Sequence, residues 1–173
     1  CFECGSVCWL GTQLGAAAGL SPATRFVSSG FLLDTNVLSE FSRRGEPNPQ
    51  VQRWLRSVSP EALYVSVLTL AEIRRGIELL PAGKRREQLE SWFKEELLGS
   101  LADVNILPVT REIGEGWAVW TARGQERGVQ VAVMDGLIAA TALAHGLTLV
   151  TRNTKDFEGL RVPMLNPWLD ELK

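Results

Sequence analysis

The chain has 173 residues, of which 45% are hydrophobic and 22% charged, with a net charge of −2 and a pI near 5.5. These proportions exclude wholesale disorder and supply enough apolar side chains for the core of one ordinary domain without disulfides. The slight acidity excludes a grip on nucleic acid that is mainly electrostatic, but it leaves room for a nuclease in which bound cations reverse the local sign.

All three cysteines, Cys1, Cys4 and Cys8, stand at the N-terminus. The C-x-x-C spacing of the first two is half of a zinc site, and neither a second pair nor a nearby histidine completes it. A chain otherwise free of cysteine points to a reducing compartment or to indifference, and a cytoplasmic location is the expectation. Residues 7–20 are apolar and rich in small residues, like the core of a signal peptide. No cation precedes them, and the stretch is too short to span a membrane. Residues 1–29 are therefore read as an extension outside the fold, and 30–173 as a single domain.

From Phe31 the pattern becomes regular. Phe31-Leu32-Leu33 reads as a short buried strand ending at Asp34, followed by helical Val37 to Phe41 and a break over Gly45 to Pro49. Val51, Trp54, Leu55 and Val58 recur at helical spacing, and Leu63 to Val67 is rich in strand formers. Leu70, Ile73, Ile77 and Leu80 mark a further helix that stops at Pro81. A charged amphipathic helix is expected over 84–102, with Leu89, Trp92, Phe93, Leu97 and Leu101 as its apolar stripe. Ile106 to Val109 reads as a third strand and 111–126 as a helix carrying Ile113, Trp117 and Trp120. A compact run from Val129 to Met134 leads to Asp135 and a helix of small residues from Gly136 to His145, with Gly146 suited to its C′ position. Leu147 to Val150 is a fourth strand and Val162 to Leu165 a candidate fifth. Strands that alternate with helices imply an α/β domain, with a parallel sheet of four to five strands and helices on both faces in three layers.

Three acids follow the apolar runs, and each has a structural reading of its own. Asp34 and Asp135 are suited to capping the helices that follow them. Glu72 stands three residues after Thr69, the spacing of a capping box. Taken singly, each acid is better explained by capping than by chemistry. Jointly they differ, because strand-to-helix junctions of a parallel sheet all fall on the carboxyl edge, where open α/β folds bind ligands. Carboxylates gathered there repel one another unless a cation sits between them, and oxygen donors suit hard divalent ions such as Mg²⁺. The set Asp34, Glu72 and Asp135 thus points to metal-assisted phosphoryl hydrolysis. The fourth strand delivers Thr151, Asn153 and Asp156 to the same edge. There they either support the site or simply form a turn. Arg74, Arg75 and Arg152 have the chemistry to hold phosphate, although a solvated helix face accounts for at least one of the first two. The lone His145 offers no relay. No phosphate-binding glycine loop and no nucleophile elbow is present.

Four stretches, Phe-Leu-Leu-Asp34-Thr-Asn-Val-Leu-Ser, Leu-Ala-Glu72-Ile-Arg-Arg-Gly, Met-Asp135-Gly-Leu-Ile-Ala-Ala-Thr-Ala and Leu-Val-Thr-Arg-Asn153-Thr-Lys-Asp-Phe, together resemble the PIN-domain toxins of the VapC type. The closing Leu165-Asn166-Pro167-Trp168 is similar to the end of the FitB-like branch. The resemblance runs from about residue 31 to the C-terminus. It implies a PIN-like fold and a Mg²⁺- or Mn²⁺-dependent endoribonuclease, the toxin of a type II toxin–antitoxin pair. It further implies a homodimer, and a small VapB-like antitoxin whose tail enters the acidic groove. The family's first three acids match Asp34, Glu72 and Asp135, which are expected to hold the metal. A fourth acid that is frequent in the family is Asn153 here, which leaves a second metal position dependent on Asp156 or water. The alternatives are a non-catalytic PIN-like module that binds RNA or protein, and a Mg²⁺-dependent phosphatase of another α/β fold.

Overall fold

The computed structural model describes residues 30–42, 46–101, 105–125, 128, 130–157, 160 and 162–169. The proposed extension 1–29 lies outside the described residues, as do Ala102, Glu126 and Val129 from the expected elements. In chain order the elements are β1 (Phe31–Leu33), α1 (Thr35–Ser39) with a 3₁₀ turn (Glu40–Ser42), α2 (Pro49–Ser57), β2 (Leu63–Ser66), α3 (Val67–Glu78) and α4 (Lys84–Ser91). There follow β3 (Ile106–Leu107), α5 (Arg111–Gln125), α6 (Val133–Ala144), β4 (Thr148–Val150), a 3₁₀ turn (Thr154–Phe157) and β5 (Met164–Leu165).

All five strands are parallel, in the order β3-β2-β1-β4-β5. The α/β expectation with its fifth strand is met. Phe31 pairs with Leu63 on one side and Thr148 on the other, and Leu33 with Val65 and Val150. The chain winds outward in both directions from β1, so the crevice at the carboxyl ends of β1 and β4 is the switch point of the sheet.

Alternation along β1 divides the core in two. Leu33 joins one apolar cluster with Val37, Trp54, Leu55, Ile73, Phe93 and Leu97. Leu32 joins the other, on the opposite face, with Ile138, Ala139, Leu149 and Phe157. Full burial of a leucine stabilises by about 1.5–3 kcal/mol, so even a three-residue strand flanked on both faces is well anchored. Phe31 meets Trp54 edge-to-face with ring centroids 5.3 Å apart, which ties β1 to α2. Pro49 opens α2 and Asn48 caps it, accepting from the N–H groups of Gln50 and Val51 at 2.9 and 3.4 Å. At the C-terminus of α6, Gly146 has φ +65°, the left-handed conformation expected of it.

Four local expectations are corrected. The helix foreseen over 84–102 is not one regular α-helix: after Ser91 it widens to a π-helical stretch, Trp92–Leu97, before a last turn, Leu98–Ser100. Widening places residues five apart on one face, which brings both Trp92 and Leu97 into the core. Thr69 and Glu72 form no capping box, because α3 starts earlier and is capped by Ser66, whose hydroxyl accepts from Leu68 N–H at 3.2 Å. Asp135 caps nothing, since Ala132 occupies the cap position and Asp135 stands in the first turn of α6. Val67 belongs to α3, so β2 ends at Ser66.

Candidate active site

Asp34 follows the last residue of β1, and its backbone N–H still donates to Val150 O at 3.0 Å. It does cap α1, accepting from Thr35 N–H through Oδ1 at 2.6 Å. Its other oxygen, Oδ2, is occupied as well: the Thr151 hydroxyl and the Asn36 amide each donate to it at 2.6 Å. Thr151 is fully buried just beyond β4, and its hydroxyl takes part in three hydrogen bonds. Its single proton goes to Asp34, and its oxygen accepts from Asn153 N–H at 3.0 Å and Asn36 Nδ2 at 3.2 Å. Asn36 completes the link by accepting from Arg152 N–H at 3.0 Å. The acid ending β1 is thereby fixed to the residues just beyond β4, its neighbour in the sheet.

Glu72 reaches the site from the second turn of α3 rather than from a strand end. The Thr35 hydroxyl donates to its Oε2 at 2.6 Å. Thr35 thus touches two acids at once, Asp34 through its backbone and Glu72 through its side chain. Asp135 approaches from the opposite layer on α6. Its half-buried carboxylate takes no hydrogen bond among the described residues.

These acids line one open cleft of about 450 Å³ together with Thr35, Asn36, Ser39, Arg75, Asn153, Asp156 and Phe157. Asp34, Glu72, Asp135, Asn153 and Asp156, all singled out from the sequence, are brought together. Thr151 lies beneath them as a buried brace. The sequence reading missed Thr35 and Asn36, although both immediately follow Asp34, where a strand-to-helix turn aims side chains at the same edge.

The electrostatics are those of an incompletely neutralised pocket. Burial pushes the Asp34 carboxyl above its ordinary value, as does the nearby Glu72, while the hydrogen bonds from Thr151, Thr35 and Asn36 pull it back. Asp135 is raised to about 6, first by burial and then by the negative charges of Glu72, Asp34 and Asp156. No three acidic, histidine or cysteine side chains among the described residues close into a preformed cage for an ion. Mg²⁺ does not require a closed cage, because it characteristically takes one or two carboxylates and keeps several waters. The donor set, all carboxylate, amide and hydroxyl oxygen, fits a hard divalent cation and not a soft one.

Beneath Asp135, the glycine that follows it lets α6 approach α5. A Cβ on Gly136 would stand 2.7 Å from Trp117 Nε1 and 2.9 Å from Trp117 Cδ1. The position of the third acid therefore depends on the absence of a side chain next to it.

The sequence matches the PIN domain family over residues 31–161. It is 39% identical to the VapC ribonuclease Y4jK of Sinorhizobium fredii, over 79% of this chain and 96% of that protein. It is 40% identical to the toxin FitB of Neisseria gonorrhoeae, over 80% of this chain and 99% of that one. Among solved structures it is similar to FitAB bound to an IR36 DNA fragment, with a TM-score of 0.74 and 38% identity over 82% of this chain and 98% of that one.

Proposed function

Because the chain belongs to the PIN domain family, we propose that it is a Mg²⁺- or Mn²⁺-dependent endoribonuclease that hydrolyses RNA phosphodiester bonds as the toxin of a toxin–antitoxin pair. The observation that carries this reading is the convergence of Asp34, Glu72 and Asp135 from three different elements on a single cleft at the carboxyl edge of the sheet. The ribonuclease name of one relative and the toxin name of another support it.

Asp34 and Asp135 would hold the principal cation, with Glu72 as the third carboxylate and Asn153 and Asp156 as supporting residues of the same cleft. A divalent ion there supplies positive charge to the scissile phosphate and acidity to a water. The protein's own part is positional. Thr151, Asn36 and Thr35 hold Asp34 in one orientation and oppose the effect of burial on its charge. Thr35 keeps one oxygen of Glu72 engaged, and the other would be left to bind or position the attacking water. The fourth carboxylate that Asn153 cannot provide has a substitute in Asp156, which lines the same cleft.

The partner would be a small VapB-like antitoxin, a reading supported by the pairing of FitB with FitA in the similar complex. Association with a second copy is expected through the groove between α5 and α6. Val119 and Leu143 remain 52% and 41% exposed there beside Trp120, Ala140 and Ala144. No described helix is long and apolar enough to cross a membrane. The test is incubation of the purified protein with RNA and Mg²⁺. Cleavage is expected, and it should vanish with EDTA and in Asp34→Asn. RNA left intact by the wild type, or cleavage undiminished in Asp34→Asn, would overturn the assignment.

A further inference from the structure

The cleft is acidic, yet its proposed substrate is a polyanion, and one cation lies among the residues that line it: Arg75. Arg75 stands one turn after Glu72 on α3, the spacing that puts two helical side chains on a common face. The neighbouring arginines are otherwise engaged. Arg74 is paired with Glu78, which also receives Arg86. Arg152 is stacked over Trp168, 6.0 Å from the ring centroid. Arg75 is exposed, and its side chain makes no hydrogen bond or ion pair among the described residues. Its guanidinium is not used to neutralise the acids beside it, and an unpaired arginine at the lip of such a pocket keeps all its donors for an incoming anion.

The geometry points to Arg75 as a phosphate-binding residue that grips a backbone phosphate of single-stranded RNA adjacent to the one held over the acids. The inference rests on the nuclease reading above. It adds how a slightly acidic protein fixes the register of its substrate: the acids and their cation take the scissile phosphate, and Arg75 takes a neighbour through two parallel N–H···O bonds. Such a contact is made equally in the ground and transition states, so its loss falls on KM rather than kcat. A purely structural arginine in the last turn of a helix would affect stability through the helix dipole and leave substrate binding alone.

The experiment compares wild type, Arg75→Ala, Arg75→Lys and, as a control, Arg53→Ala on α2, an exposed arginine that does not line the cleft. A fluorescein-labelled single-stranded RNA oligonucleotide serves as the probe for cleavage with Mg²⁺ and for binding with Ca²⁺, each over a range of salt concentrations. For Arg75→Ala, KM is expected to rise about ten- to a hundredfold with kcat little changed, the loss of one hydrogen-bonded charge. The slope of log affinity against log salt should become shallower by about 0.7, the loss of one phosphate contact on a single strand. Arg75→Lys should restore the slope and only part of the affinity, and Arg53→Ala should change neither. If the wild type cleaves but Arg75→Ala retains both its KM and its salt slope, Arg75 is not a phosphate ligand and the nuclease reading stands alone. A wild type that neither binds nor cleaves RNA would overturn both.

Discussion

The hydroxyl of Thr35 donates a 2.6 Å hydrogen bond to Glu72 Oε2 while the backbone N–H of the same residue donates to Asp34 Oδ1. One threonine at the start of α1 therefore sets the relation between two acids that lie 38 residues apart in sequence, one at the end of β1 and the other on α3. Partners of this kind fix the orientation of a metal ligand without touching the metal.

Thr35→Val removes the side-chain bond and leaves the backbone one. Glu72 should lose its orientation, and RNA cleavage should fall about ten- to a hundredfold, as for other partners of metal-holding side chains. The thermal midpoint should move little, because both residues are partly exposed. Thr35→Ser, which keeps the hydroxyl, should retain most of the activity. A comparison of initial cleavage rates for the three proteins checks this.

The acids also predict an unusual pH response. Asp135 titrates near 6 in the folded, ion-free protein against 3.8 when unfolded, and Asp34 is displaced in the same direction. Between those values the folded state binds more protons than the unfolded one, so stability falls as pH rises through this window and is greater toward pH 4 as far as these two groups are concerned. Added Mg²⁺ should reverse this, since it competes with the protons. Thermal melts should show Mg²⁺ stabilising the protein at pH 7.5 and having little effect at pH 5. Asp135→Asn should abolish most of the difference.

Gly136→Ala tests how Asp135 is seated. The added methyl group has no room against the Trp117 indole, and overpacking of this kind costs about 1–3 kcal/mol. The second substitution Trp117→Phe, which deletes the crowded Nε1 edge, should recover part of the loss in the double variant. Urea unfolding of the four proteins gives the coupling directly.

Much of this was legible in the sequence because it rests on local signals. The runs Phe31-Leu32-Leu33 and Leu147 to Val150 have no polar residue to place on a solvent face except Thr148, which marks them as strands buried on both sides. The three principal acids follow such runs or sit early in helices, and they do share a cleft. What failed was detail that tertiary packing decides. Thr69–Glu72 has the spacing of a capping box, yet Ser66 begins the helix. Glu72 is thus carried inward to meet Thr35, and Thr69 is left buried with its hydroxyl 3.5 Å from Leu33 O. Asp135 was placed at a junction with a strand that no described residue forms; it stands instead in the first turn of a helix. The braces Thr35 and Asn36 escaped notice because their partners, Glu72 and Arg152, are distant in sequence and only the folded chain brings them within reach. The π-helical stretch has no composition signal either, since it follows from the need to bury Trp92 and Leu97 on one face.

Binding of Mn²⁺ followed by electron paramagnetic resonance tests the proposed cation site without reference to any RNA target. The wild type should take up the ion at pH 7.5 and bind it progressively more weakly as the pH falls below about 6, the value to which Asp135 is raised in the ion-free protein. Asp34→Asn and Asp135→Asn should each weaken binding at least tenfold, the penalty of losing one carboxylate from a site that has few. If either variant held Mn²⁺ as tightly as the wild type, the acids would not be acting on a common ion.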